Sequence, residues 1–146
     1  PAVLFDMEQH VAYMYHVGDT RLYKYKDGVL TKLSQDHSLV GLQEDAGVLS
    51  EEEAMSHPRR NIITRFIGNA RLDWNTIYMM DLSFPIETGT QYLICSDGLY
   101  DMVSSAEIME VLAQEGNQQQ KVEALINRAN LAGGKDNITA IILETK

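Results

Sequence analysis

Two periods of apolar residues run along this chain, and their order predicts strands first and helices later. Residues 10–17 (HVAYMYHV) are rich in Val, Tyr and Met, a β-forming run that Gly18-Asp19 interrupts. Residues 22–25 and 29–33 form two further runs around Lys26-Asp27-Gly28, and Asp-Gly between such runs predicts a hairpin. Asp36 or Ser38 can cap a helix carrying Leu39, Val40 and Leu42, ended by Gly47. Ser50 with Glu53 makes a capping box for a helix over residues 51–56, stopped by Pro58. The three acidic residues of its first turn suit the positive end of the helix dipole.

Beyond this point strands and helices alternate. Residues 76–84 and 91–96 read as strands joined by a turn around Pro85 and Gly89. Ser104 and Glu107 form a second capping box, followed by Ile108, Val111 and Leu112 at helical spacing and closed by Gly116. Val122, Leu125, Ile126 and Ala129 make another stripe, terminated by Gly133-Gly134. Residues 137–145 then read as a buried strand. The stripes are core, and the predicted class is α+β.

Composition narrows this picture. The chain has 146 residues, enough for one domain with its own core, and shows no repeat or linker that would divide it. Apolar residues at 45% indicate a globular chain, and no apolar run reaches the length of a membrane span. Residues 1–6 lack the basic start and apolar stretch of a signal peptide, and there is no initiator methionine. The net charge of −9 argues against nucleic-acid or anionic-membrane binding, leaving a divalent cation or a basic peptide as compatible partners. Cys95 is the only cysteine, which excludes an intrachain disulfide and a cysteine-cluster zinc site and predicts a reducing cytoplasm.

The candidate chemistry lies in acidic turns. Asp97 ends the apolar run 92–95 and is followed by Gly98, so a carboxylate on a rigid support meets a tight turn. Oxygen ligands of this kind suit Mg²⁺ or Mn²⁺, although Asp-Gly is also an ordinary turn pair. Asp136 repeats the arrangement after two glycines, as a second ligand or as the turn after a helix cap. Asn137 is placed to tie its loop by side-chain hydrogen bonds. Asp19 is a third such turn, either a ligand or a partner of Arg21. His16, His37 and His57 show no HExxH spacing, and His57 before Pro58 reads as a helix-end residue. Cys95 lacks the Cys-x5-Arg loop of a tyrosine phosphatase and reads as core.

Taken together, HVGDTR (16–21), LSQDHS (33–38), GVLSEEEAMSHPRRNIITRFIG (47–68), YLICSDGLYD (92–101) and GGKDNITAIIL (133–143) resemble the PP2C (PPM) family of serine/threonine phosphatases. The SEEEAMSHPRRN stretch resembles the flap of the bacterial branch, a helical insertion around residues 38–62. The resemblance implies part of an α-β-β-α sandwich, two packed sheets flanked by helices. It also implies a centre of two to three Mg²⁺ or Mn²⁺ ions, where a metal-activated water attacks a phosphoserine or phosphothreonine without a phosphoenzyme. By position, Asp97 and Asp136 match two ligands of the first metal, and Asn137 matches the asparagine supporting them. Asp19 matches a third-metal residue, and the Asn61 backbone carbonyl matches a flap contact to that metal. Asp101 and Gly98 match residues holding the turn. Thr20 stands where the family's GDSR motif has serine.

The family's Arg-x-x-Asn-Glu-Asp segment and Asp-Gly-x-Gly-Gly motif do not occur in the chain. These supply the phosphate-binding arginine, the acidic ligand of the second metal and the bridging aspartate. The resemblance therefore covers the C-terminal half of a catalytic domain, from about residue 11 onward. The expectations are weak or partial metal binding, little activity in isolation, and self-association through exposed edges. A non-catalytic regulatory or interaction module is the alternative; a calcium domain lacks the twelve-residue loop it would need.

Overall fold

The computed structural model describes residues 1–68 and 79–146. Residues 76–78 of the expected strand lie outside the described residues. The chain forms two compact units that interleave along the sequence, Pro1–Asp19 with Ser34–Ile86, and Thr20–Leu33 with Glu87–Lys146. Both sheets are antiparallel, and the α+β class stands.

In the first unit, β1 (Ala2–Asp6), β2 (Val11–His16) and β5 (Met80–Pro85) form a sheet in the order β1-β2-β5. Pairing runs from Ala2↔Tyr15 to Asp6↔Val11, and from Val11↔Pro85 to His16↔Met80. This register puts Val3, Phe5, Ala12, Met14, Leu82 and Phe84 on one face, where Ala12 and Met14 are fully buried. Leu4 and Tyr15 lie exposed on the other. The β1–β2 turn has no glycine; the Asp6 carboxylate accepts the N–H groups of Glu8 (3.1 Å) and Gln9 (2.9 Å). Two short helices follow in this unit, α1 (Leu39–Asp45) and α2 (Glu51–Ser56). Ser38, not Asp36, caps α1, and the Ser50/Glu53 capping box forms as the sequence predicts.

The second unit holds β3 (Arg21–Lys26), β4 (Val29–Lys32), β6 (Gln91–Cys95) and β7 (Ala140–Glu144) in the order β4-β3-β6-β7. The Asp-Gly hairpin forms as a two-residue turn between paired Lys26 and Val29, with φ of +50° at Asp27 and +80° at Gly28. The same unit contains helices α3 (Asp97–Tyr100), α4 (Ser105–Ala113) and α5 (Gln118–Leu131). Tyr23, Leu93 and Cys95 pack into one core with Leu99, Val103, Ile108, Val111, Leu112, Leu125 and Ala129, joined by Ala140 and Ile142. Lys121 is buried at the end of α4, where its ammonium donates to Leu112 O (2.7 Å) and Gln91 Oε1 (3.0 Å).

The strands β5 and β6 follow each other in sequence and belong to different sheets. Two expectations change. The last strand begins at Ala140, not at residue 137, and only alternate residues are covered: Ile141 is 56% and Leu143 37% exposed. A run apolar at every position hides which face the helices cover. Finally, Ser96-Asp97-Gly98 does not simply turn; it opens the one-turn helix α3.

Candidate metal centre

The geometry around Asp97 follows from the end of β6. Ser96 is the N-cap of α3, with Asp97 the first helical residue, so its negative charge meets the helix N-terminus. Asp101 closes the turn by donating its backbone N–H to Asp97 O (2.9 Å). The buried Tyr100 ring carries the Arg21 guanidinium at 3.8 Å from its centroid, and Arg21 also donates to Tyr23 Oη (3.1 Å). Core packing of Leu99 and Val103 fixes the remainder of this turn.

Asp136 arrives from the other side. Helix α5 ends with Gly133 N donating to Asn130 O (3.1 Å) and Gly134 N to Ala129 O (3.0 Å). The chain then enters residues 135–139, which lead into β7 beside β6. Ser96 stitches the two loops together. Its N–H donates to Thr139 O (3.1 Å), its Oγ accepts from Thr139 N–H (3.0 Å), and its hydroxyl reaches Asn137 O (3.2 Å).

Gly98 makes the contact tight. A Cβ built there would lie 2.3 Å from Asn137 O and 3.4 Å from the Asp136 carbonyl carbon. Only a residue without a side chain lets the two backbones approach this closely. Asp97 and Asp136 therefore stand on abutting loops. Each turns Oδ1 onto the next N–H, Gly98 at 2.9 Å and Asn137 at 2.7 Å. Asp97 is half-buried and Asp136 exposed. Asn137 supports the loop through its carbonyl, whereas the sequence suggested its side chain.

Asp19 and Asn61 belong to the first unit. Asp19 follows Gly18, whose φ of +104° favours glycine. Beside this turn lies a buried polar group of His16, Ser34, Asp36 and His37. The His16 and His37 rings stack, with centroids 5.2 Å apart and planes at 20°. Burial, then the N-terminal ammonium and His37, push His16 down to about 4, against weak opposition from the Gln35 and Gly18 backbones. Neither His16 ring nitrogen has a well-formed hydrogen bond among the described residues. Burial, then Arg65, lowers His37, with Asp36 opposing, which favours the neutral ring. Asn61 is exposed in the turn after α2. His57 ends α2, with its Nδ1 accepting Arg59 N–H (3.1 Å), and Cys95 is buried and in no disulfide. Both match the sequence reading. The sequence singles out no role for Ser96, whose signal is its place beside Asp97, and it offers His37 only as a histidine without zinc spacing, since its bond to Gly18 spans nineteen residues.

No family model matches the chain. Curated relatives do. The serine/threonine phosphatase stp of Listeria innocua is 37% identical over 139 residues, 94% of this chain and 53% of that protein. A 2C-type protein phosphatase of Streptococcus pyogenes is 42% identical over 132 residues, 90% of this chain and 52% of the relative. The chain belongs to the PP2C-type phosphatases. It spans about half the length of the curated relatives it matches.

Solved structures extend the likeness to the fold of this PP2C-type chain. The serine/threonine phosphatase of S. agalactiae superposes with a TM-score of 0.80 at 40% identity, covering 94% of this chain and 55% of that one. The catalytic domain of PstP, solved in complex with two manganese ions, gives a TM-score of 0.78 at 31% identity over 96% and 55% of the two chains.

The residues fit a hard divalent cation in part. Two carboxylates on abutting backbones offer oxygen donors, the set that Mg²⁺ and Mn²⁺ prefer. Among the described residues no group of three or more His, Cys, Asp or Glu side chains converges as a metal site. Asp97 and Asp136 thus bring two carboxylates to adjoining backbones, fewer donors than a complete cation site needs.

Proposed function

We propose that this chain is the C-terminal portion of a single Mg²⁺- or Mn²⁺-dependent phosphatase domain, with the flap-like insertion around residues 38–62. Its substrates are proteins phosphorylated on serine or threonine. The observation that carries this reading is the backbone contact of Gly98 with the Asp136-Asn137 loop, which supports reading the two carboxylates as members of one site. In this reading Asp97 and Asp136 hold the first metal, and Ser96, Gly98, Asp101 and Asn137 keep the two loops in place. Asp19 and the Asn61 carbonyl serve a third, weaker ion. When bound, such ions lower the pKa of water and neutralise charge developing on a phosphoryl group. The complete domain uses two to three of them.

The 146 residues by themselves supply neither a bridging aspartate nor a phosphate-binding arginine in its family context. They therefore bind metal weakly and turn over little substrate, and their uncovered sheet faces favour self-association. A cytoplasmic setting accords with the lone thiol. The acidic balance disfavours nucleic acid, and no described helix is long and apolar enough to cross a membrane.

The test is phosphopeptide hydrolysis with Mn²⁺ by the complete gene product and its Asp97→Ala variant. Loss of a metal carboxylate removes several kcal/mol of transition-state stabilisation, so activity falls by about a hundredfold or more. Full activity in the variant rejects the assignment. The second reading is a non-catalytic PP2C-like regulatory or interaction module, favoured by the lack of a three-ligand cluster among the described residues. A complete gene product that is folded, binds a partner and shows no Mn²⁺-dependent turnover would establish it.

A further inference from the structure

His37 is bonded on two sides at once. Its N–H donates to Gly18 O (2.8 Å), and its ring Nδ1 accepts the Gly18 N–H (3.2 Å). Its carbonyl accepts Thr64 N–H (2.7 Å), the Thr64 hydroxyl (2.8 Å) and Arg65 N–H (3.3 Å). The contact continues along the chain, through a Ser38↔Ile63 bridge and a bond from Leu39 N–H to Ile62 O (2.9 Å). The residue is 1% exposed, and its ring is fixed from the far side by stacking on His16, the last residue of β2. Gly18 immediately precedes Asp19, and Ile62 immediately follows Asn61.

We propose that His37 is a positioning residue that holds the Gly18-Asp19 turn in register with the segment after Asn61. The Asp19 end of this link rests on the metal role proposed above; the link itself does not. The side chain matters because a ring nitrogen accepts the Gly18 N–H, which has no backbone acceptor among the described residues. An aliphatic residue would fill the space and lose the acceptor. Asparagine carries an acceptor at a similar reach and restores it. On the other side, the Thr64 hydroxyl doubles the bond to the His37 carbonyl, so loosening residue 64 loosens the same link.

Amide hydrogen exchange on the 146-residue chain tests the coupling. His37→Leu is expected to speed exchange at Gly18 by about tenfold or more, the effect of a buried donor losing its partner, and His37→Asn to reverse most of this. Unchanged Gly18 exchange in a folded His37→Leu variant overturns the proposal. Should His37→Leu not fold, Thr64→Val carries the test. Faster exchange at Gly18, across the residue that was not altered, supports the coupling, and unchanged exchange rejects it. In the complete gene product, His37→Leu should raise the Mn²⁺ concentration for half-maximal hydrolysis severalfold while leaving the rate at saturating Mn²⁺ near wild type. The Asn variant should restore the metal requirement. An unaltered Mn²⁺ requirement in His37→Leu overturns the positioning role. Absence of any Mn²⁺ response in the unsubstituted protein would instead defeat the metal reading, with the exchange result still deciding the link.

Discussion

Asp97 and Asp19 each stand just after a strand, yet they are held by opposite means. Around Asp97 the support is steric, with the Gly98 and Asn137 backbones in direct contact above a core of aliphatic side chains. Around Asp19 the support is polar, with His16, Asp36 and His37 buried together beside Gly18. A contact between backbones carries no titratable group and tolerates no added atom. A buried imidazole pair responds to protons. The comparison teaches that candidate ligands in one chain can share a local motif while depending on different variables. Those variables can be perturbed separately.

The largest effect expected is that of acid on the histidine side. His16 titrates at about 4 when folded and near its ordinary value of about 6.5 when unfolded. Between these values the unfolded chain binds more protons, so stability is full above about 6.5 and is lost as pH falls towards about 4. The loss amounts to at most about 3 kcal/mol. Urea unfolding at pH 7 and pH 4.5 should show this step in the wild-type chain, and a His16→Phe variant should show a smaller one, left by His37. Equal acid sensitivity in both would remove the contrast with the Asp97 side.

Gly98→Ala breaks the steric side. The new methyl meets a carbonyl oxygen at 2.3 Å, so one loop must move. A cost of about 1–3 kcal/mol is expected, of the order found for overpacked cores. It should be nearly the same at pH 7 and pH 5, which thermal melts at both values will check. A smaller effect comes from Ser96→Ala, which removes the hydroxyl from between Asn137 and Thr139. About 1 kcal/mol is expected, together with faster amide exchange at Thr139. No change in exchange there would mean that Gly98 alone sets the loop.

Much of this was legible along the chain because its signals are local. The Ser50/Glu53 and Ser104/Glu107 boxes are stated by residues three apart, and both form. The Asn117/Gln120 box obeys the same rule but is masked by Gly116 and by a run of glutamines with no apolar marker. Strand β1 was missed because its turn is held by the Asp6 carboxylate and not by glycine or proline. Helix α3 looks like a turn in the sequence because glycine at its second position argues against a helix. The acidic turns were visible as candidates, but no sequence interval reveals that Gly98 touches Asn137. That contact depends on β7 pairing with β6, and so on the fold. The His37 link was hidden for the same reason, since it joins residue 18 to residue 64 across the unit.

The claim that Asp97 and Asp136 form one divalent-cation half-site is tested most directly by Mn²⁺ titration of the isotope-labelled 146-residue chain, followed by paramagnetic broadening of its amide resonances. Broadening is expected at residues 97–101 and 134–139 together, at the same Mn²⁺ concentration, with both sets lost in Asp97→Ala and in Asp136→Ala. Broadening of one loop without the other, or of both loops in either variant, would contradict it.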